Sequence, residues 1–197
     1  MIVNGYKIFP GADLRGADLS NANLFGSYLS RANLSEANLS EANLYKANLY
    51  KANLEGVNLT GSSLIGASLS ETNLKGADLN RSNLFRADIV RTNLSGANLL
   101  RANLSGVDLS YSNLEGANLY ETTLTAANVD NTNIHTFCLG KNSGYIHEKT
   151  IRIGCHSAYI KDITEDYLLD LGRENGYTDK EIRLYTDIIM RLIKEVL

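Results

Sequence analysis

Residues 32–56 read ANLSEANLSEANLYKANLYKANLEG, five near-copies of one five-residue unit. Working outward, the same register holds without a slip from Ala12 to Leu139, which is 26 consecutive units. The third position is Leu in 23 of them and otherwise Ile89, Val129 or Ile134. The first position is Ala, Ser or Thr in 23, with Val57, Val107 and Phe137 as exceptions, and the second is Asn or Asp in 21. Glycine recurs at the fifth, as at Gly16, Gly56, Gly61, Gly66 and Gly106.

A period of five fits neither regular element. On a helix at about 100° per residue each Leu would rotate by roughly 140° from the last, and no face would collect them. On a straight strand the side-chain period is two, so Leu14 would point in and Leu19 out. The chain must therefore turn a corner inside every unit, bringing first and third positions back to one axis. Glycine at the fifth position suits a corner that needs positive φ. Small first-position residues and Leu at the third then fill a narrow interior, while Asn or Asp at the second can bond its own local backbone. Self-similarity over more than a hundred residues marks a solenoid, whose units bury their apolar face only by stacking.

ADLRGADLSNANLFG, residues 12–26, and the units after it resemble the pentapeptide-repeat family, whose unit is A(D/N)LXX. The resemblance implies an all-β solenoid, a right-handed quadrilateral β-helix with four pentads per coil. On that count 26 pentads make about 6.5 coils and a tower roughly 31 Å tall. The residues themselves demand corners and leave the number of sides open.

Three segments are expected: an N-terminal cap at 1–11, the β-helix at 12–140, and a C-terminal strand plus a small two-helix cap at 141–197. Solenoid ends expose sheet edges, so caps are needed. Pro10 removes a donor where the coil begins. Phe137, in a position otherwise kept small, reads as a plug. Alternation through Ile151 and Ile153 predicts a last strand. A first helix is expected from near Thr164, with Tyr167, Leu168 and Leu171, to near Gly176. A second opens on the capping box Thr178–Glu181 and continues through Ile182, Tyr185, Ile189, Leu192 and Val196. This tail is similar to the ending of many bacterial and phage pentapeptide-repeat proteins of unassigned role. It reads as a cap over the last coil or as a dimerisation module, so a monomer or a homodimer through the C-terminal helices is expected.

The formal net charge of −3, from 22 acidic and 19 basic residues, argues against a basic nucleic-acid-binding surface. The N-terminal sequence lacks the pattern of a signal peptide, and no apolar run of about 18 residues is present to span a membrane. Two cysteines are too few for a secreted disulfide framework, so a cytoplasmic location is expected. His135, His147 and His156, with Cys138 and Cys155, show no metal-ligand spacing. Cys155 and His156 are merely adjacent, and nothing marks an activated thiol. No phosphate-binding glycine motif occurs. The expectation is a protein that is not an enzyme and takes no cofactor or metal.

Two functional readings remain. The first is a non-catalytic scaffold that binds a protein partner through outward second, fourth and fifth positions. The second comes from the resemblance: some family members imitate duplex DNA and protect DNA gyrase from topoisomerase poisons. B-DNA carries a charge about every 1.7 Å, so a tower of about 31 Å would need roughly 18 negative charges. Residues 12–139 hold 12 acidic and nine basic side chains, and the register has no interrupting loop. Both features weigh against mimicry. With four pentads per coil, residues 20 apart stack, and one fourth-position column reads Phe25, Tyr45, Ile65, Phe85, with Lys46 and Arg86 beside it. That side carries no outward acidic residue, whereas the other three carry several each. Apolar side chains rimmed by cations suit an interface. A ladder that only stabilises the sheet, at about 0.2–1 kcal/mol per neighbour pair, is the competing explanation.

Overall fold

The computed structural model describes residues 1–132, 134–139, 142–147, 150–153, 156–159, 163–174 and 177–196. For the strands between 134 and 159, and for Tyr185, Leu192, Glu195 and Val196, it describes backbone only. The chain forms two compact units, Met1–Asn133 and Ile134–Leu197.

In the first unit every second position makes a parallel bridge to the residue 20 further on, from Asp13 with Asn33 to Asp108 with Asn128. Twenty residues are four pentads, so each coil has four sides. One pentad shows the bonding. Leu34 N–H donates to Asn53 O at 2.7 Å, Asn53 N–H to Ala32 O at 2.9 Å, and Glu36 N–H to Glu55 O at 2.9 Å. The corner closes where Ala37 N–H meets Leu34 O at 3.1 Å. From residue 16 to residue 131 every fifth residue has positive φ, glycine or not, as at Arg81 (57°) and Gly76 (64°).

The first and third positions make the core. Leu74, at mid-height, is wholly buried, and Lys75 beside it is exposed. Where a hydroxyl replaces Ala at the first position it generally bonds a third-position carbonyl: Thr92 Oγ1 donates to Leu69 O at 2.8 Å and Ser112 Oγ to Ile89 O at 2.7 Å. Second-position asparagines bond twice. Asn73 Oδ1 accepts from Lys75 N–H at 3.2 Å, and Asn73 Nδ2 donates to Asn53 Oδ1 at 3.1 Å. The result is a side-chain ladder laid over the backbone ladder.

The N-terminal cap is a hairpin of β1 (Ile2–Val3) and β2 (Tyr6–Lys7), with Ile2 opposite Lys7. Asn4 and Gly5, at φ 48° and 84°, make its two-residue turn.

The pentad spacing persists in sequence to Leu139, but the coil does not. Residues Ile134–Leu139 form β3 and pair antiparallel with β4 (Asn142–His147), so the coiled part stops short of residue 140. In place of one last strand there is a four-stranded antiparallel sheet in the order β3-β4-β5-β6, with β5 at Thr150–Ile153 and β6 at His156–Tyr159. The Phe137 plug concerns a side chain outside the described residues.

Two helices follow, α1 (Glu165–Glu174) and α2 (Asp179–Val196). Thr164 Oγ1 caps α1 by accepting from Tyr167 N–H at 3.1 Å. The capping box of α2 is present: Thr178 N–H donates to Glu181 Oε2 at 2.9 Å, and Glu181 N–H to Thr178 Oγ1 at 3.4 Å. Leu168 and Leu171 of α1 and Ile182 and Ile189 of α2 are buried. Gly172 permits close helix packing, since a Cβ there would lie 2.7 Å from Ile182 Cγ1. Tyr185, Leu192 and Val196 have side chains outside the described residues.

Candidate protein-binding corner

Each corner consists of a fourth and a fifth position. The corner that follows the strands carrying Leu24, Leu44, Leu64 and Leu84 holds Phe25, Tyr45, Ile65 and Phe85. Its vertical spacing is set by backbone bonds: Gly26 N–H to Tyr45 O, Lys46 N–H to Ile65 O and Gly66 N–H to Phe85 O, at 2.9, 3.0 and 3.0 Å. Asparagine at the second position steadies the fourth, with Asn23, Asn43 and Asn83 Oδ1 accepting from the N–H of Phe25, Tyr45 and Phe85. All six expected residues thus lie on one corner. Phe25 (58 % exposed) and Phe85 (37 %) are open to solvent, and Tyr45 and Ile65 are half-buried.

The rings of Phe25 and Tyr45 stack at 5.5 Å between centroids with 12° between planes. Lys46 Nζ lies 5.2 Å over the Tyr45 ring and the Arg86 guanidinium 5.0 Å over Phe85. Glycine one coil further on makes room for the Arg86 stem, while beside Lys46 a Cβ would only reach ordinary contact. A Cβ on Gly66 would lie 3.7 Å from Lys46 Cγ, and one on Gly106 only 3.3 Å from Arg86 Cγ. Gly26, Lys46, Gly66, Arg86 and Gly106 alternate in this column, and each cation lies against its own ring, a contact of about 0.5–1 kcal/mol at an exposed site. Among the described residues neither Lys46 nor Arg86 has a salt bridge.

The next corner round the coil repeats the ring-and-cation pairing and was not singled out from sequence. Lys51 Nζ sits 5.0 Å over Tyr50, and the Arg91 guanidinium 5.6 Å over Tyr111. The signal was there in YKANLYK, residues 45–51. This second corner is already neutralised in part: Tyr50 Oη donates to Glu71 Oε1 at 3.0 Å, and Lys51 Nζ lies 3.2 Å from Glu71 Oε2. The Tyr50 hydroxyl and then Lys51 hold the Glu71 carboxyl below its usual range. Among the described residues Lys46 and Arg86 have no such carboxylate.

Among the described residues no group of three His, Cys, Asp or Glu side chains could hold a metal ion. The side chains of His135, His147, His156, Cys138 and Cys155 lie outside the described residues. No helix among the described residues is long and apolar enough to cross a membrane.

The family model described as Pentapeptide repeats matches eight copies, at residues 8–27, 22–61, 62–99 and 101–139. Comparison with curated protein sequences returns no match. Several solved structures are similar. HetL, a pentapeptide repeat protein involved in heterocyst differentiation regulation from the cyanobacterium Nostoc sp. strain PCC 7120, is 30% identical. That match covers 62% of this chain and 70% of HetL, with a TM-score of 0.36. Rfr23 from the cyanobacterium Cyanothece 51142 is 34% identical over 62% of this chain and 87% of that one, with a TM-score of 0.24. Full-length QnrB1, a plasmid-mediated fluoroquinolone resistance protein, is 23% identical over 62% and 74%, with a TM-score of 0.26. At these TM-scores the relatives specify neither a partner nor an activity for this chain.

Proposed function

We propose, from the premise that the chain belongs to the pentapeptide-repeat family, that it is a non-catalytic scaffold whose corner ladder binds a protein partner in the cytoplasm. The coil we take as right-handed, following the family. One observation carries the reading: Lys46 and Arg86 are held over Tyr45 and Phe85, unpaired with any carboxylate among the described residues, on the side without outward acidic residues. Aromatic and cationic groups in this arrangement are the usual anchors of an interface, offering ring area and desolvatable charge together. A carboxylate-bearing partner would complete both cations.

Imitation of DNA is the weaker reading. Cations stand in the corner columns where a mimic needs phosphate-like charge, and the net of the repeats falls far below the roughly 18 charges a duplex of that height carries. The test places a photo-crosslinking phenylalanine analogue at position 45 and, as a control, at Ser95 on another corner. A single protein captured in cells at 45 and not at 95, and lost in Lys46→Ala/Arg86→Ala, is the expected result. Equal capture at both positions, or none at 45, would overturn the corner as a binding surface. Rescue of quinolone-inhibited gyrase supercoiling by the purified protein would promote the mimic.

A further inference from the structure

The first coil has a rim with no coil beneath it. In each later coil three backbone groups per side bond toward the N-terminal neighbour. These are the second-position N–H and C=O and the fourth-position C=O, as at Asn33, whose N–H meets Ala12 O and whose C=O meets Leu14 N–H. In the first coil the same groups point outward. The hairpin covers part of this rim: Asp18 N–H donates to Tyr6 Oη at 3.3 Å, Asn4 Nδ2 to Asp18 O at 3.5 Å, and Gly11 N–H to Ser30 O at 2.9 Å. On the two sides that meet at the Phe25–Gly26 corner only Ser30 O is covered among the described residues. Asn23 N–H and C=O, Phe25 C=O, and Tyr28 N–H and C=O have no hydrogen-bond partner among the described residues, and on the other two sides neither do Asp13 N–H and C=O, Arg15 C=O and Ser20 C=O.

Two further features mark this end of the coil. Of the eight exposed large apolar side chains among the described residues, five belong to the first coil or its hairpin, namely Met1, Ile2, Phe9, Phe25 and Tyr28. Tyr28, 70 % exposed, stands where the repeat calls for Asn. Natural sheet edges are usually blunted by charge or by a covering segment. Here the other two sides carry Asp13, Arg15 and Asp18, and residues 22–29 carry no charge at all.

We propose that this open rim is an interface with a second copy of the chain. The two rims join about a two-fold axis through the Phe25–Gly26 corner, and the Asn23 strand of one molecule pairs antiparallel with the Tyr28 strand of the other. A second copy is the occupant because the rim is self-complementary. Each of these two sides offers both a donor and an acceptor, the axis exchanges them, and residues 22–29, being uncharged, meet no like-charge repulsion from their own image. Phe25, at the axis, is then buried against its equivalent, and Tyr28 against the Asn23 strand of the second copy. This goes beyond the partner corner, since Tyr45, Lys46, Phe85 and Arg86 take no part.

Sedimentation equilibrium of the full chain under reducing conditions should give twice 21.6 kDa. Tyr28→Lys should give a folded monomer, and so should Tyr28→Asn, which restores the repeat residue and is safe for folding. Asn23 and Tyr28 amides should exchange at least about tenfold more slowly in the wild type than in either variant. Tyr45→Ser/Phe85→Ser should remain a dimer, which separates this interface from the ring-and-cation corner. A wild type that stays monomeric at about 100 µM overturns the proposal. So does a dimer that survives Tyr28→Lys, or one whose Asn23 and Tyr28 amides are unprotected.

Discussion

Ser62 and Ser82 offer a matched experiment inside the core. Both occupy the first position on the same side, one coil apart, and both are 1 % exposed. The Ser82 hydroxyl donates to Leu79 O at 2.7 Å, whereas the Ser62 hydroxyl has no partner among the described residues. A buried hydroxyl left unbonded costs about 1–3 kcal/mol, and a hydrogen bond that is made contributes about 0.5–1.5 kcal/mol. Alanine is at home here, since Ala42 and Ala102 bracket the pair in the same column. Ser62→Ala should therefore stabilise by about 1 kcal/mol and Ser82→Ala destabilise by about 0.5–1 kcal/mol. Two chemically identical substitutions then differ by roughly 1.5–2 kcal/mol, or about 3–8 °C in Tm for a chain of this size. Calorimetry and urea unfolding of both variants beside the wild type measure the gap. Adjacent coils share their cooperative neighbourhood, so partial unfolding affects both readings alike. Equal shifts for the two variants would refute the reasoning.

Arg81, at φ 57° with an exposed side chain, tests the corners: left-handed backbone costs a non-glycine residue about 1–2 kcal/mol. Urea midpoints should rank Arg81→Gly at or above the wild type and Arg81→Val below it by about 1 kcal/mol, and the reverse order would discard the corner argument. The Asp18 and Asp108 carboxyls are held below their usual range, Asp18 by the hydroxyl and N–H of Ser20 and Asp108 by the N–H and hydroxyl of Ser110. A depressed folded-state pKa gives stability that is present above the unfolded value of about 3.9 and lost as pH falls through the folded value. Asp18→Asn/Asp108→Asn keeps the acceptor oxygens and should flatten the loss of stability between about pH 5 and 2; an unchanged acid profile would show that these carboxylates do not drive it.

Inside and outside were legible because one period governs both. Leu at the third position and Ala at the first admit no other arrangement, and Leu74 and Lys75 lie where that period puts them. The four sides were not legible from a single pentad, whose Leu is the same on every side. They were written in the recurrence at 20: Gly56, Gly76, Gly96 and Gly116 share a column, as do Thr72, Thr92 and Ser112. The end of the coil escaped notice for the opposite reason. Val129, Ile134 and Leu139 keep the five-residue spacing, while IHTFCL also suits a free strand, and pairing with β4 prevails. At the candidate corner the sequence supplied the column of rings. It could not supply the laying of Lys46 along Gly66 and Arg86 along Gly106, which depends on what stands one coil away.

The division of labour within a pentad explains why the surface can carry function without weakening the fold. Backbone bonds between coils use only main-chain atoms, and the core uses only first and third positions. Fourth and fifth side chains enter neither, so Phe25, Tyr45, Lys46, Phe85 and Arg86 can change with little effect on the coil. The second position is different. Its asparagines link neighbouring coils, as Asn43 Nδ2 does with Asn23 Oδ1 at 3.2 Å and Asn103 Nδ2 with Asn83 Oδ1 at 3.2 Å. An aromatic there gives up a ladder bond, worth about 0.5–1.5 kcal/mol net. Tyr28 makes that sacrifice in the first coil, at the rim, where no further coil compensates it. A side chain kept at the expense of the fold is a stronger mark of an external contact than one kept where the fold is indifferent. By that criterion the rim at Tyr28 is the more constrained of the two surfaces, and the ring-and-cation corner the more adaptable.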